Sequence, residues 1–387
     1  DFVFNNPTKI IFGRDTEKFL GEETRKYGKK ALFHYGGGSI KKIGLYDKCI
    51  GSLKSAGIEI FELGGVQPNP RLSLVREGIK IVKDNDIDII IAVGGGSTID
   101  SSKAIGMGVC ADEGVDVWDF YTGKATPKKT LPVGTVLTIP AAGSESSNSS
   151  VITNMDGKYK KGCTSEKIYP VFSILNPENT YSLPAYQTAC GASDILAHLM
   201  ERYFVNVPVA ELSDRMIEGA MKTVIGFAPK AIAQPQNYDV RAEVMWTGTV
   251  AHNNLLDQGR GGDWSSHRIE HELSGIYDIA HGAGLAIVFP AWLKYAAKTN
   301  PGKIIQMGQR VFDITESGET AVKLTIEALE NFYKLIGMPT RLSDADINSD
   351  DFDEMARKAV GDDIQFGNYV KLDFEAVNDI FKSAIDN

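Results

Sequence analysis

Three of the chain's six histidines fall within one twenty-residue stretch, DWSSHRIEHELSGIYDIAHG (263–282). His267 and His271 stand four apart, and His281 follows ten residues later. Upstream, GASDILAHLMERYF (191–204) carries Asp194 and His198 at the same i, i+4 spacing. On a helix that spacing puts both side chains on one face, about one turn apart. Carboxylate and imidazole are donors for divalent first-row ions, and a catalytic ion takes about three or four protein ligands with a position left open. The five candidates therefore leave one spare, and spacing alone does not say which. His34 and His252 lie elsewhere in the sequence. The zinc-protease pattern HExxH is absent, since Arg268 follows His267 and no second histidine follows HELSG.

A second kind of chemistry is written in glycine. AVGGGSTIDSSK (92–103) joins an apolar run to a helical one. Glycines let backbone N–H groups approach an anion with no Cβ in the way, and a helix starting at Ser97 points its positive end there. A pyrophosphate is the expected guest, although the GxGxxG fingerprint is missing. Asp100 is placed to complement the helix dipole or reach a ligand, and Lys103 to pair with it on the surface. HYGGGSIKK (34–42) is a second such turn. A carboxylate there would hydrogen-bond a ribose 2′-hydroxyl and repel a 2′-phosphate. Gly36, Gly37, Gly38, Ser39, Lys41 and Lys42 offer none, which favours NADP(H) over NAD(H).

These groups need elements to position them. KALFHY (30–35), IEIFEL (58–63), IDIIIAV (87–93), VGTVLTIP (133–140) and VFSILNP (171–177) read as strands separated by helical stretches at 16–28, 40–57, 71–85 and 97–109. Continuous apolar runs suit strands buried on both faces of a parallel sheet. VITNMDGKYKKGC (151–163) reads as a hairpin. From Pro184 onward the pattern turns helical. The expected organisation is an α/β, Rossmann-like dinucleotide-binding domain over 1–182 and an all-α domain over 183–387. The second carries metal and substrate, and its acidic tail from 340 is helical. His281, between Gly275 and Gly282, falls where a break between helices could aim it inward.

Composition narrows the partners. A net charge of −9 and a pI near 5.3 argue against a nucleic-acid backbone or an anionic membrane. Cys49, Cys110, Cys163 and Cys190 are far apart with no CxxC, as in a reducing, cytoplasmic compartment. LAIVFPAWLKYAA (285–297) is too short and too interrupted to span a bilayer.

GGGSTIDSSK (94–103), TIPAAGSES (138–146), GASDILAHLMERY (191–203) and HRIEHELSGIYDIAHGAG (267–284) resemble, in order and spacing, the iron-containing (group III) alcohol dehydrogenases. The NADP(H)-dependent butanol dehydrogenase and aldehyde reductase branch is the most similar. The resemblance implies a dehydroquinate synthase-like architecture with a cleft between the domains. It implies one Fe²⁺ or Zn²⁺ held by Asp194, His198, His267 and His281, with His271 near nicotinamide and substrate. It implies that Gly94, Gly95, Gly96 and Ser97 hold the pyrophosphate and that Asp100 lies on the nicotinamide side. Thr138 and Lys160 are brought to the cofactor, and Gly38 and Ser39 match the adenosine-phosphate turn. Ala142 stands where the family often has threonine or serine, so that a hydroxyl contact to the cofactor is either missing here or supplied by Ser144 or Ser147.

The expected reaction is hydride transfer between the cofactor and a short-chain alcohol or aldehyde such as butanol or butanal, with His271 relaying the proton. Trp264 and aromatics of the helical half are expected to line the apolar pocket, and the N-terminal strand to pair in a homodimer. The alternatives are a dehydroquinate synthase-like or glycerol-type enzyme on the same scaffold, and a non-catalytic NADP- or metal-sensing module. The first would need a basic pocket for phosphate, and Arg260 and Arg268 near the ligand helices do not make an Arg/Lys cluster.

Overall fold

The structure is a computed structural model and describes residues 1–385. The chain forms two compact units, and the division is not linear. One comprises Asn5–Leu183 with Pro235–Asn253; the other comprises Asp1–Phe4, Pro184–Gln234 and the described residues from Asn254 onward.

In the first unit, six strands make one parallel sheet: β1 (Lys9–Phe12), β2 (Lys30–Tyr35), β3 (Glu59–Leu63), β4 (Ile89–Gly95), β5 (Val133–Ile139) and β8 (Phe172–Leu175). Their order is β1-β8-β5-β4-β2-β3. Strands β6 (Ser149–Asn154) and β7 (Tyr159–Thr164) pair antiparallel as the expected hairpin. Successive residues of β2 and β4 go to opposite faces. Leu32, Ile90 and Ala92 join one apolar cluster; Ala31, Phe33, Ile89, Ile91 and Val93 join another. Covered faces on both sides explain why the β4 run reads as continuously apolar.

The expected split of 1–182 from 183–387 puts helix Tyr238–His252 on the helical side, but it packs with the sheet. Trp246 meets Phe12 edge-on at 6.0 Å, and Arg14 lies 3.8 Å over the Tyr238 ring. Thr249 donates to the buried Glu145 carboxylate at 2.6 Å. Buried partners supplied by the sheet unit decide where this helix belongs, and helical periodicity does not reveal them. The stretch read as one helix over 40–57 is two, Ser39–Lys42 and Leu45–Ser55, parted at Gly44 with φ 74°.

The second unit is all-helical. Helix Ala185–Tyr203 is buried over most of its length. Helix Ser265–Tyr277 ends at Asp278 in the left-handed conformation, and helix His281–Ala297 starts three residues later, so the expected break before His281 is present. The acidic tail forms helices Phe352–Val360 and Phe374–Ser383, docked through Phe352, Met355 and Phe381. No helix of the described residues is long and apolar enough to cross a membrane.

His34 bridges three elements of the sheet unit. Nδ1 donates to Leu63 O at 2.7 Å, which leaves Nε2 to accept from Ser101 at 2.9 Å. Burial holds its pKa down at about 4, against an ordinary 6.5. The folded state therefore keeps His34 neutral while the unfolded chain protonates. The stability it contributes is present above pH 6.5 and is lost as pH falls toward 4, by about 3 kcal/mol in all. We predict that urea-unfolding midpoints measured across this window fall with pH, and that His34→Gln flattens the slope by one proton.

Candidate active site

The helical unit draws Asp194, His267 and His281 together so that one donor atom of each lies within 4.8 Å of the others. Asp194 Oδ1 is 3.8 Å from Nε2 of His267 and 3.8 Å from Nε2 of His281. His198 lies beside this trio: its Nδ1 is 3.4 Å from Asp194 Oδ1, and its ring stacks on His267 with centroids 4.7 Å apart. Ligands about 2.1 Å from a tetrahedral ion stand about 3.4 Å from one another, so the separations suit a common ion. Asp194 Oδ1 and His267 Nε2 are buried with no hydrogen-bond partner among the described residues. Such atoms cost stability unless something polar or charged meets them.

The other nitrogens are occupied. His267 Nδ1 donates to Glu201 Oε1 at 2.8 Å, and His281 Nδ1 donates to Glu270 Oε2. Glu201 also accepts from the backbone N–H of His267 at 3.0 Å and of Trp264 at 2.5 Å, so it caps the helix that carries His267. Burial works against the His267 imidazolium, but the Asp194 and Glu201 carboxylates outweigh it and hold its pKa up at about 9. Carboxylates that attract a proton this strongly attract a cation at the same place.

His271 stands apart from the Asp194 trio. Its ring is 5.7 Å from that of His281, and it is half-buried. Trp264 lies beside the histidines and is half-buried. Arg202 covers its ring at 4.7 Å, and its ring centroid is 5.4 Å from that of His267 and 6.0 Å from that of His198.

Two residues escaped the sequence reading, Glu201 and Glu270. Their one signal is position: Glu201 is three after His198, and Glu270 three after His267, so each shares a face with a histidine. Surface salt-bridging glutamates share that spacing, so it does not single them out.

In the sheet unit, Gly94, Gly95 and Gly96 run from β4 into helix Gly96–Val109. The helix starts at Gly96 with Gly95 at the N-cap, one residue before the expected Ser97. No side chain caps it, which leaves its first N–H groups to an incoming anion. Gly37 and Gly38 precede the short helix Ser39–Lys42, and Ser39 is exposed. The turn itself holds no carboxylate, but Glu62 on neighbouring β3 accepts from Tyr46 at 2.6 Å and Tyr35 at 3.2 Å. Lys41 lies over both rings. Thr138 on β5 and Lys160 on β7 are buried.

Lys103 corrects the surface reading. It is wholly buried, and its Nζ donates to Ser144 Oγ at 2.9 Å, Ser147 O at 2.9 Å and Ser149 O at 2.8 Å. Burial brings its pKa down to about 8, against the pull of Asp100 and Glu145. Asp100 is buried as well. Its two oxygens accept from Ser144 Oγ at 2.5 Å and Val151 N at 2.9 Å. Burial pushes its carboxyl up while Lys103 pulls it down. Ser147 is buried in the same network.

The metal-like cluster depends on a close helix crossing. A Cβ on Gly282 would fall on the backbone carbonyl of Cys190, and Ser193 Oγ donates to Gly282 O at 2.6 Å. Gly282→Ala is predicted to destabilise the fold by about 1–3 kcal/mol in chemical denaturation. Gly219→Ala is the control: a Cβ there meets nothing within 4 Å inside helix Glu211–Ala233, and stability rises by about 0.5–1 kcal/mol.

Comparison with known proteins is consistent along the whole chain. The iron-containing alcohol dehydrogenase model matches residues 7–177, and the C-terminal model of the Fe-containing alcohol dehydrogenase family matches 188–385. The chain is 45% identical over 388 residues, 100% of both chains, to the probable NADH-dependent butanol dehydrogenase 1 of Bacillus subtilis (strain 168). It is 37% identical over 360 residues, 92% of each, to the NADPH-dependent aldehyde reductase YqhD of Escherichia coli (strain K12). The crystal structure of NADH-dependent butanol dehydrogenase A from Thermotoga maritima matches with a TM-score of 0.96 at 42% identity, over 100% of this chain and 99% of that one. Matches to both halves, and relatives this similar over their full length, place the chain in the iron-containing alcohol dehydrogenase family, as an oxidoreductase that uses a metal and a nicotinamide cofactor.

Proposed function

We propose that the chain interconverts short-chain alcohols and aldehydes, such as butanol and butanal, with NADP(H) preferred over NAD(H). One Fe²⁺ or Zn²⁺ is held by Asp194, His198, His267 and His281. The observation that carries the reading is the buried Asp194 oxygen with two imidazole Nε2 atoms at 3.8 Å and no hydrogen-bond partner of its own among the described residues. When bound, the ion supplies Lewis-acid polarisation of the substrate oxygen and the nicotinamide accepts or donates the hydride. The chain's own residues bind, orient and move protons. Gly94, Gly95, Gly96 and Ser97 hold the pyrophosphate at an uncapped helix start, with Asp100, Thr138, Ser147 and Lys160 shaping the rest of the cofactor site. His271, outside the Asp194 trio, accepts the alcohol proton or returns it.

The cofactor preference rests on Gly37, Gly38 and Ser39. A Cβ on either glycine meets nothing within 4 Å, Lys41 and Lys42 follow, and the turn holds no carboxylate. Relatives carry either cofactor in their names, so the measurement that decides is kcat/KM with NADPH against NADH on a panel of aldehydes. NADPH is expected to lead, and Ser39→Asp to reverse the order. A homodimer through the N-terminal strand fits β1 being an edge strand with Phe12 exposed.

Metal content separates the histidines. His267→Ala is expected to lose the ion. His271→Ala is expected to keep it and to lose about 100-fold or more in kcat. Elemental analysis of both purified variants checks this, and metal retained in both would sink the assignment.

A further inference from the structure

Glu201 and Glu270 face the same cluster but are not equivalent. Glu201 receives two backbone N–H groups besides His267 Nδ1, so it is part of how a helix begins. Glu270 is wholly buried, and its oxygens are met by side chains: Oε2 by His281 Nδ1 and Oε1 by Ser274 Oγ. Gly284 makes room for it, since a Cβ there would lie 2.6 Å from Oε1 and 2.8 Å from Cγ. The carboxylate is thus enclosed between its own helix and the helix that begins at His281.

We propose that Glu270 is the positioning residue that fixes the ring of His281 and leaves its Nε2 as the atom turned toward Asp194. The argument rests on the metal reading given above. An imidazole with Nδ1–H bound to a carboxylate has one tautomer and one orientation, which leaves the Nε2 lone pair to meet a cation. Nε2 then lies 3.8 Å from Asp194 Oδ1. His281 needs this help more than His267 does. It is the first residue of its helix, where no preceding turn packs against the side chain, and 24% of its side-chain surface is exposed against 8% for His267. Ser274, one turn on from Glu270 in the same helix, holds the other oxygen and so extends the chain of orientation. A donor atom of Glu270 also lies within 4.8 Å of donors on His271 and His281. A direct ligand role for Glu270 at a second ion is therefore the alternative that stoichiometry must distinguish.

The test is Co²⁺ titration of the metal-stripped full chain, read by visible absorption, stoichiometry and competition with a chelator. Wild type, Glu270→Gln and Ser274→Ala are compared. Wild type is expected to take one ion per chain. Glu270→Gln keeps an acceptor for Nδ1–H but loses the charge, and is expected to bind about 10–100-fold more weakly with a shifted absorption band. Ser274→Ala is expected to move the same way by less. The urea midpoint of metal-stripped Glu270→Gln should match or exceed that of wild type, which separates positioning from a general loss of fold. Affinity and spectrum unchanged in both variants would overturn the proposal, as would two ions in wild type reduced to one in Glu270→Gln. Should Glu270→Gln fail to fold, Ser274→Ala decides alone. No binding by wild type would overturn the metal centre and this inference together.

Discussion

Three buried carboxylates, those of Asp194, Glu201 and Glu270, meet three imidazoles inside the helical unit, and much of that unit is arranged around their shortage of positive charge. Burying a carboxylate is costly unless it is paired and hydrogen-bonded. Glu201 answers the cost with two backbone donors and one imidazole. Glu270 answers it with a hydroxyl and an imidazole. Asp194 Oδ1 is left facing two Nε2 atoms. The arrangement is close to neutral when the imidazoles carry protons or a cation lies among them, and the Gly282 crossing exists to bring the groups that close.

The sheet unit solves the converse problem. A lysine ammonium is buried where the turn Ser144–Ser149 meets helix Gly96–Val109, and the chain folds two carbonyls and a serine around it. Asp100 accepts from that same serine and from β6. The helix that follows the glycine turn and the serine turn are thus joined through one buried hydroxyl, that of Ser144, which accepts from Lys103 and donates to Asp100, and this gives the turns a rigid frame.

Periodicity made most of the sheet legible. The apolar runs at 30–35, 87–93 and 133–140 match β2, β4 and β5 to within two residues, because strands covered on both faces are apolar at most positions. The i, i+4 pairs located the site, but spacing alone treated His267 and His271 as equals. One turn of helix, about 6 Å along its axis, separates them, so that His267 meets Asp194 while His271 stays outside the trio. The glutamates were not legible because their partners come from elsewhere: Glu201 meets a helix start 63 residues on, and Glu270 a histidine beyond a chain break. Lys103 was misplaced for the same reason, since its ligands lie more than 40 residues away.

The return of helix Tyr238–His252 to the sheet unit limits how this chain can be divided. A fragment ending at Leu183 would leave Glu145 without Thr249, and Trp246 gone from Phe12. The strand-rich unit is completed only after about fifty residues of the helical one have been made. The two units are therefore interleaved in synthesis and could not be exchanged between relatives as simple cassettes. A working hybrid would have to carry the crossings at 183/184, 234/235 and 253/254 together.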